Sequence, residues 1–463
     1  MHLEDQYQQI QLKVLKKIRP TKSERELLQR KYEGILSRIT SILVETNIEA
    51  KVELTGSFSR DTWISGSRDI DIFAILPYKS EFTPNDLLKV IKKGIDFQWI
   101  KKHAKHPYLF AISDDIKIEI VPCYEFKAGR EIRSAVDRSP LHKQFISDNL
   151  PISAKDEVRL LKQFMRGVGT YGAEIKVHGF SGYLIELLII NYKGQFIEVL
   201  KNAQKLLNSV ITFQKKLIVD ENKFENEPLI VVDPTDKNRN VAAAVKEQTL
   251  ANFIAAAKSY LKNPSEDYFF PKIITITKDR LQEIKNSVLH YSAIIHKEPD
   301  ISDDILWGQI RKFEKSLLNY INNEGFEPIN VDSMISKKEI LTIVISQKGT
   351  TPDYRWKFGP PVNNNGQDEF LKKYKDNSRV VFGPAIIKNK WKILLKEKQQ
   401  TIYEIVEKGI SGKIISLPSH LQMDLSSIEI LSKEKLITRI VDDKEKMTYL
   451  YRILTGKPNY LLK

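Results

Sequence analysis

Cysteine is almost missing from this sequence: Cys123 is the single one in 463 residues. That excludes an internal disulfide and every zinc module built on several thiolates, so any metal must be held by oxygen or nitrogen. Long apolar runs are missing as well. No stretch approaches the roughly 20 apolar residues a membrane helix needs. The opening MHLEDQYQQIQLK is acidic and polar where a signal peptide is basic and then apolar. The expected location is therefore the cytoplasm, with no membrane partner. No Walker A pattern occurs, which counts against P-loop chemistry. No internal repeat or low-complexity segment stands out, which sets aside solenoid and collagen-like readings. Acid is the minority charge: 59 Asp+Glu against 73 Lys+Arg leave a net +14. An excess of that sign suits a polyanionic partner, and general solubility accounts for it equally well.

What is present is ordinary for a globular chain, with 41% hydrophobic and 29% charged residues. The length exceeds what one hydrophobic core usually serves, so about three domains are expected. Boundaries fall near 150 and 270, giving 1–150, 151–270 and 271–463; composition marks the second less sharply. Up to about residue 45 apolar residues recur at helical period, from Leu12, Val14, Leu15 and Ile18 to Ile35, Leu36 and Ile39. Between 50 and 125 the pattern turns to short alternating runs: AKVEL (50–54), DIDIFAIL (69–76) and IKIEIVP (116–122) read as strands. Helical period returns at 155–168 and 181–212. Beyond 271, strand-like runs such as KIITIT (272–277) and ILTIVIS (340–346) alternate with helical ones.

The densest chemistry lies in LTGSFSRDTWISGSRDIDIF (54–73). Residues two apart on a strand share a face, so Asp69 and Asp71 project together while Ile70 and Ile72 face the core. Two like charges so placed repel, and a divalent cation is the usual reason to keep both ionised. On the run 116–122, Glu119 shares a face with Lys117, opposite Ile116, Ile118 and Ile120. If that strand lies beside the first, Glu119 completes a three-carboxylate cluster able to bind two ions. A D-x-D pair alone is more often a solvated acidic face. Upstream, however, Gly56-Ser57 ends a strand and Arg60 follows three residues later. A small-residue turn lets backbone N–H groups approach a triphosphate, the serine hydroxyl can donate to it, and the arginine offers a planar fork. Metal and phosphate readings support each other, and point to phosphoryl or nucleotidyl transfer.

Other motifs resolve to bland readings. GVGTYG (167–172) has dinucleotide-motif spacing but follows a helix, so its glycines read as a helix stop and turn. His103 and His106 lack a third zinc ligand nearby. Cys123 has no basic neighbour and reads as a packed thiol.

Gly-Ser, a gap, then Asp-x-Asp on a strand resembles the polymerase-β-type nucleotidyltransferase superfamily. The fuller wording is similar to the archaeal-type (class I) CCA-adding enzymes, tRNA nucleotidyltransferases. It comprises GSFSRDTWISGSRDIDIF, HPYLF (106–110), IEIVPCY (118–124), AVDRSPLH (135–142), YGAEIKVHGFSGYLIELLI (171–189), VVDPTDKNRNVAA (231–243) and WGQI (307–310). These motifs span roughly the first 310 residues, and the tail beyond 320 matches far less distinctly.

The resemblance implies that Asp69 and Asp71 are the first two metal-binding carboxylates and Glu119 the third. An aspartate is usual at that third position, so this carboxylate is one methylene longer. It implies that Ser57, Arg60, Ser139, His142, Lys162 and Tyr171 hold the triphosphate and ribose of the incoming nucleotide, and that Arg239 helps read its base. From the residues alone, Lys162 in RLLKQFM is either a point charge in a cleft or a surface lysine. His142 after Pro140 reads as a loop residue, and Arg239 lies in a charged run, DKNRN, that could be a solvated turn. The implied fold is α+β and multidomain: a nucleotidyltransferase mixed sheet with helices, a helical central domain that closes the nucleotide cleft, and an α+β C-terminal region binding RNA. The implied activity is addition of the 3′-terminal CCA to tRNA from CTP and ATP without a nucleic acid template. Two Mg2+ ions, or Mn2+, serve as cofactors, one held by all three carboxylates and the other by Asp69 and Asp71. tRNA is the partner, gripped at acceptor stem and elbow. Basic-aromatic stretches at 353–358, 370–377 and 386–396 suit phosphates and exposed bases. A homodimer is left open. Two rivals share part of the signature: a poly(A) polymerase or oligoadenylate synthetase relative, and an RNA-binding protein with an inactive transferase domain. The intact carboxylates oppose the second, and product length separates the first.

Overall fold

Two helices lead the chain, α1 (Leu3–Ile18) and α2 (Lys22–Glu45). The single helical stretch expected up to residue 45 is broken at Arg19–Thr21 for a local reason. Pro20 cannot continue a helix, and Thr21 starts a new one with a capping box. Its hydroxyl accepts from the Glu24 N–H at 3.2 Å while the Glu24 carboxylate accepts from the Thr21 N–H at 2.8 Å. This computed structural model describes residues 3–102, 107–126, 133–214, 221–272, 274–421 and 428–462; His103 and His106 lie outside them. Residues up to Lys272, with Asn459–Leu461, make one compact unit, and those from there to Pro458 make a second.

The first unit continues through β1 (Lys51–Thr55), a one-turn helix α3 (Gly56–Ser59), β2 (Asp69–Leu76), α4 (Pro84–Gly94), β3 (Ile100–Lys102), β4 (Tyr108–Ser113) and β5 (Ile116–Tyr124). The sheet order is β1-β2-β5-β4-β3, with β2 and β5 parallel and the other pairs antiparallel. Ile70, Ile72, Ile116, Ile118 and Ile120 are all fully buried against Ile35, Ile39, Leu87 and Ile91 of α2 and α4. Burying each such side chain contributes about 2 kcal/mol. A one-residue slip would expose these isoleucines and bury carboxylates in their place, so the core dictates that Asp69, Asp71 and Glu119 occupy the other face.

Helices α5 (Ser139–Asn149), α6 (Lys155–Gly167), α7 (Gly182–Asn191), α8 (Phe196–Asn202) and α9 (Glu247–Lys262) follow. They close a second core with α1, in which Phe164, Phe196, Phe253, Tyr260 and Phe269 pack edge to face. Gly167 ends α6 and Gly169 adopts φ +76, the stop and turn expected of GVGTYG. The expected helical run to 212 stops short. Asn208 at φ +56 turns the chain, and β6 (Ser209–Ile211) pairs with β7 (Leu229–Asp233), itself antiparallel to β8 (Asp236–Asn240). The central region is thus helical with a small three-stranded sheet.

The second unit holds α10 (Lys278–Lys285), β9 (His290–Lys297), α11 (Asp303–Asn323), β10 (Pro328–Ser336) and β11 (Glu339–Ser346). Then come β12 (Tyr354–Pro361), α12 (Gln367–Tyr374), β13 (Val380–Ile387), β14 (Lys390–Lys396), α13 (Ile402–Ser411), β15 (Glu429–Leu431), α14 (Lys433–Ile440) and α15 (Lys444–Thr455). They build two sheets, β10-β11-β9-β15 and β12-β14-β13. KIITIT, read as a strand, is not one among its described residues. Thr277 instead caps α10, accepting from the Arg280 N–H at 3.3 Å, and the Ile274 carbonyl accepts from the Thr448 hydroxyl at 3.2 Å. Its alternation is met by packing rather than by a ladder. Among the described residues no helix is long and apolar enough to cross a membrane.

Candidate active site

The parallel register of β2 and β5 sets Asp71 directly opposite Glu119 and Asp69 opposite Lys117. Burial, then the neighbouring Glu119 and Asp69, push the Asp71 carboxyl up to about 7, against an opposing pull from Arg60. Asp69 lies at the open end of the strand, with Lys117 Nζ 3.8 Å from its Oδ1. As they stand, no three acidic, histidine or cysteine groups among the described residues converge closely enough to cage a metal. The backbone brings the three carboxylates to one face without locking their side chains into a preformed ligand set. Their chemistry still fits a hard divalent cation: all donors are oxygen, and the repulsion that raises Asp71 is what such a cation relieves.

Beside this face the chain leaves β1 through Gly56, at φ +67. A Cβ there would sit 1.8 Å from Asp71 Oδ2, so only glycine lets the turn lie this close to the carboxylate. Ser57 follows in the first turn of α3 and Arg60 caps its end. The small-residue turn and the acidic strand are thus one site.

Lys162 is not a surface residue. It lies on α6 at 2% exposure, its ammonium donating to the Thr62 carbonyl at 3.1 Å and hydroxyl at 3.3 Å, with Glu186 of α7 at 3.9 Å. Burial lowers it to about 8; Glu186 resists that shift, while Arg60, Arg166 and Arg159 add to it. Glu186, fully buried, also takes the Arg60 guanidinium at 3.1 Å and the Thr62 hydroxyl at 2.5 Å. One turn beyond Lys162, Arg166 lies 4.9 Å over the Tyr171 ring and donates to Ser67 at 3.1 Å. Burial raises the Tyr171 phenol, and Arg166 pulls it back.

His142 sits on a helix and not, as its sequence suggested, in a loop. Pro140 occupies the first turn of α5, where its missing N–H costs nothing, so it starts the element that carries His142 behind Ser139. The imidazole Nε2 is 2.8 Å from Asp233 Oδ2 and the ring stacks on Tyr183 at 4.1 Å. Arg239 Nη1 reaches the same Asp233 oxygen at 2.6 Å from β8, so it is no solvated turn residue. Burial works to raise the Asp233 carboxyl, but His142 and Thr235 hold it well below the usual range. An open cleft of about 1130 Å³ beside Arg239 is lined by Arg138, Ser181, Asp236 and Arg239. Asp69, Asp71 and Glu119 are not part of that lining.

The structure therefore gathers the candidates in groups: carboxylates with the Gly56 turn, Arg60 with Lys162 through Glu186, and His142 with Arg239 through Asp233. Sequence reasoning missed Glu186 and Asp233. Each carried a signal: Glu186 is the one charge in GYLIELLII, and Asp233 ends the apolar run LIVV. Cys123 is buried beside Phe73 and Ile75, and burial raises its thiol.

A mixed sheet that presents carboxylates from two parallel strands against a glycine turn, with buried cations nearby, defines a nucleotidyltransferase. Residues 36–142 match the nucleotidyltransferase domain. Residues 156–270 match the tRNA nucleotidyltransferase second domain, and residues 289–433 the C-terminal domain of the CCA-adding enzyme. The CCA-adding enzyme of Sulfurisphaera tokodaii is 34% identical over 407 residues, covering 87% of this chain and 92% of that protein. That of Methanosarcina acetivorans is 33% identical over 410 residues, covering 86% and 88%. The chain belongs to the archaeal-type CCA-adding enzyme family.

Proposed function

We propose that this chain adds the 3′-terminal CCA to tRNA from CTP and ATP, without a nucleic acid template and in the cytoplasm. The observation that carries the reading is Asp71 facing Glu119 across β2 and β5, with the Gly56 turn pressed against it. The 3′-hydroxyl oxygen of the primer bonds to the α-phosphorus, the bond from that phosphorus to the β-phosphate oxygen breaks, and pyrophosphate leaves. Asp69, Asp71 and Glu119 would hold two Mg2+ ions, or Mn2+, which when bound lower the pKa of the primer hydroxyl and neutralise the departing pyrophosphate. Ser57, Arg60 and Lys162 bind the triphosphate, Ser139, His142 and Tyr171 complete the hold on triphosphate and ribose, and Arg239 helps read the base together with the RNA. Residues 1–150 act as catalytic domain, 151–270 as nucleotide cleft, and 271–463 as the body and tail that hold acceptor stem and elbow. In that last region the three basic-aromatic stretches converge on the β12-β14-β13 sheet and α12.

The test is incubation with unmodified tRNA lacking its 3′ end, read at nucleotide resolution. CTP alone should add two residues, ATP alone none, and the pair three. An open-ended tail or no extension overturns the reading.

The nucleotide site should also be pH-dependent. The Lys162 ammonium titrates at about 8 in the free protein, and the protonated form is the one that binds phosphate. KM for CTP and ATP should therefore be flat below pH 8 and rise about tenfold per unit above it, until bound nucleotide no longer restores the proton. Lys162→Arg, which stays charged, should flatten that limb; initial rates from pH 6.5 to 9.5 decide it.

A further inference from the structure

Glu186 presents a physical problem that its helix does not explain. Its side chain has no exposure, and every other residue of GYLIELLII is apolar or aromatic. An ionised carboxylate in such a place is costly unless it is paired. Its partners come from two separate elements: Arg60 at the end of α3, with Nε 3.1 Å from Oε1 and 3.0 Å from Oε2, and Lys162 of α6, with Nζ 3.9 Å from Oε1. The Oε1 atom also accepts from the Thr62 hydroxyl at 2.5 Å, while Oε2 makes its ion pair without an aligned hydrogen bond.

We infer that Glu186 is a positioning residue of the nucleotide site, holding the Arg60 and Lys162 cations side by side so that both meet one triphosphate. The inference rests on the reading of those two residues given above. Charge supports it: one buried carboxylate is shared by two cations from separate elements that otherwise repel each other, so it is what allows both to sit in one place. The groups facing Lys162 include Arg159 and Arg166 on its own helix, Arg60, Glu186, and the Tyr171 hydroxyl near Gly182. Of these only Glu186 is anionic, so without it every charge facing the lysine is positive, only Thr62 still accepts from its ammonium, and Arg60 loses the carboxylate that holds its Nε.

The experiment is steady-state kinetics on Glu186→Gln, which keeps shape and removes charge. KM for CTP and ATP should rise about tenfold or more, with kcat and KM for tRNA within about threefold. In a double-mutant cycle with Lys162→Met, the second substitution should add less than about threefold to the first, because both disable one unit. Additive losses, or equal rises in KM for nucleotide and tRNA, would show that Glu186 only supports the fold. If Glu186→Gln does not fold, Glu186→Asp keeps the charge but withdraws it by one methylene; a severalfold rise in nucleotide KM alone is expected, and an unchanged one overturns the inference. Arg60→Ala and Lys162→Met separate the two failures. If neither raises nucleotide KM, the triphosphate assignment itself is wrong. If both do and Glu186→Gln does not, only the positioning role falls.

Discussion

Asp71→Asn should cut nucleotide addition by about a thousandfold or more while leaving tRNA affinity within about twofold. The asparagine is isosteric, so it fits against Gly56 without the collision that a Cβ on that glycine would cause. It also removes one of three mutually repelling charges, so folding should be untouched or slightly favoured. What is lost is the carboxylate between Asp69 and Glu119, shared by both proposed ions. A thousandfold loss corresponds to about 4 kcal/mol of transition-state stabilisation, a reasonable value for removing a metal ligand. Titration gives a second readout. With Asp71 raised to about 7, a divalent cation must displace its proton below that pH. The Mn2+ affinity of the wild type should fall about tenfold per unit there, and that of the variant should not. Primer extension, a filter-binding titration with tRNA and a Mn2+ titration on both proteins decide it. Activity within tenfold of wild type would remove Asp71 from the metal site.

The parts of this site legible in the sequence were those written in local periods. Alternation in DIDIFAIL and IKIEIVP fixed which side chains face the core, because isoleucine burial and carboxylate exposure demand the same register. The parallel pairing of those strands was not legible, and it alone sets Asp71 opposite Glu119. Polar residues whose partners are distant in the chain were likewise hidden. Glu186 meets Arg60 and Thr62 across more than a hundred residues, and Asp233 meets His142 across 91. Lys162 looked ambiguous because RLLKQFM is compatible with either face of α6; packing against α7 buries it. His142 belongs to a helix where a loop was expected, because Pro140 is compatible with a loop and equally with the first turn it occupies, and KIITIT differs because period two is also what a capped, packed connection can show.

Alanine at both Trp356 and Phe358 should raise KM for tRNA by about tenfold to a hundredfold and leave KM for CTP and ATP unchanged. Along β12, Tyr354, Trp356 and Phe358 share one face, and all three are exposed at 49%, 43% and 69%. Phe382 of β13 meets Trp356 edge to face at 5.9 Å, and Lys392 of β14 lies over the rings of Trp356 and Phe358 at 4.1 and 4.8 Å. Aromatic rings with a cation across them, held open to water, suit unstacked bases and the phosphates beside them. Each base stacked there is worth about 1–3 kcal/mol, which sets the expected range. Because the rings are exposed, truncating them should change thermal stability little. Lys392→Ala should reduce the slope of log affinity against log salt by about one, as expected for one lost phosphate contact. A minihelix lacking the elbow should already bind weakly and lose less than tRNA does. Equal losses for both acceptors would mean that the face supports the fold of its unit. Unchanged KM for tRNA, with a shift in sedimentation from dimer to monomer, would instead assign these rings to a second copy of the chain.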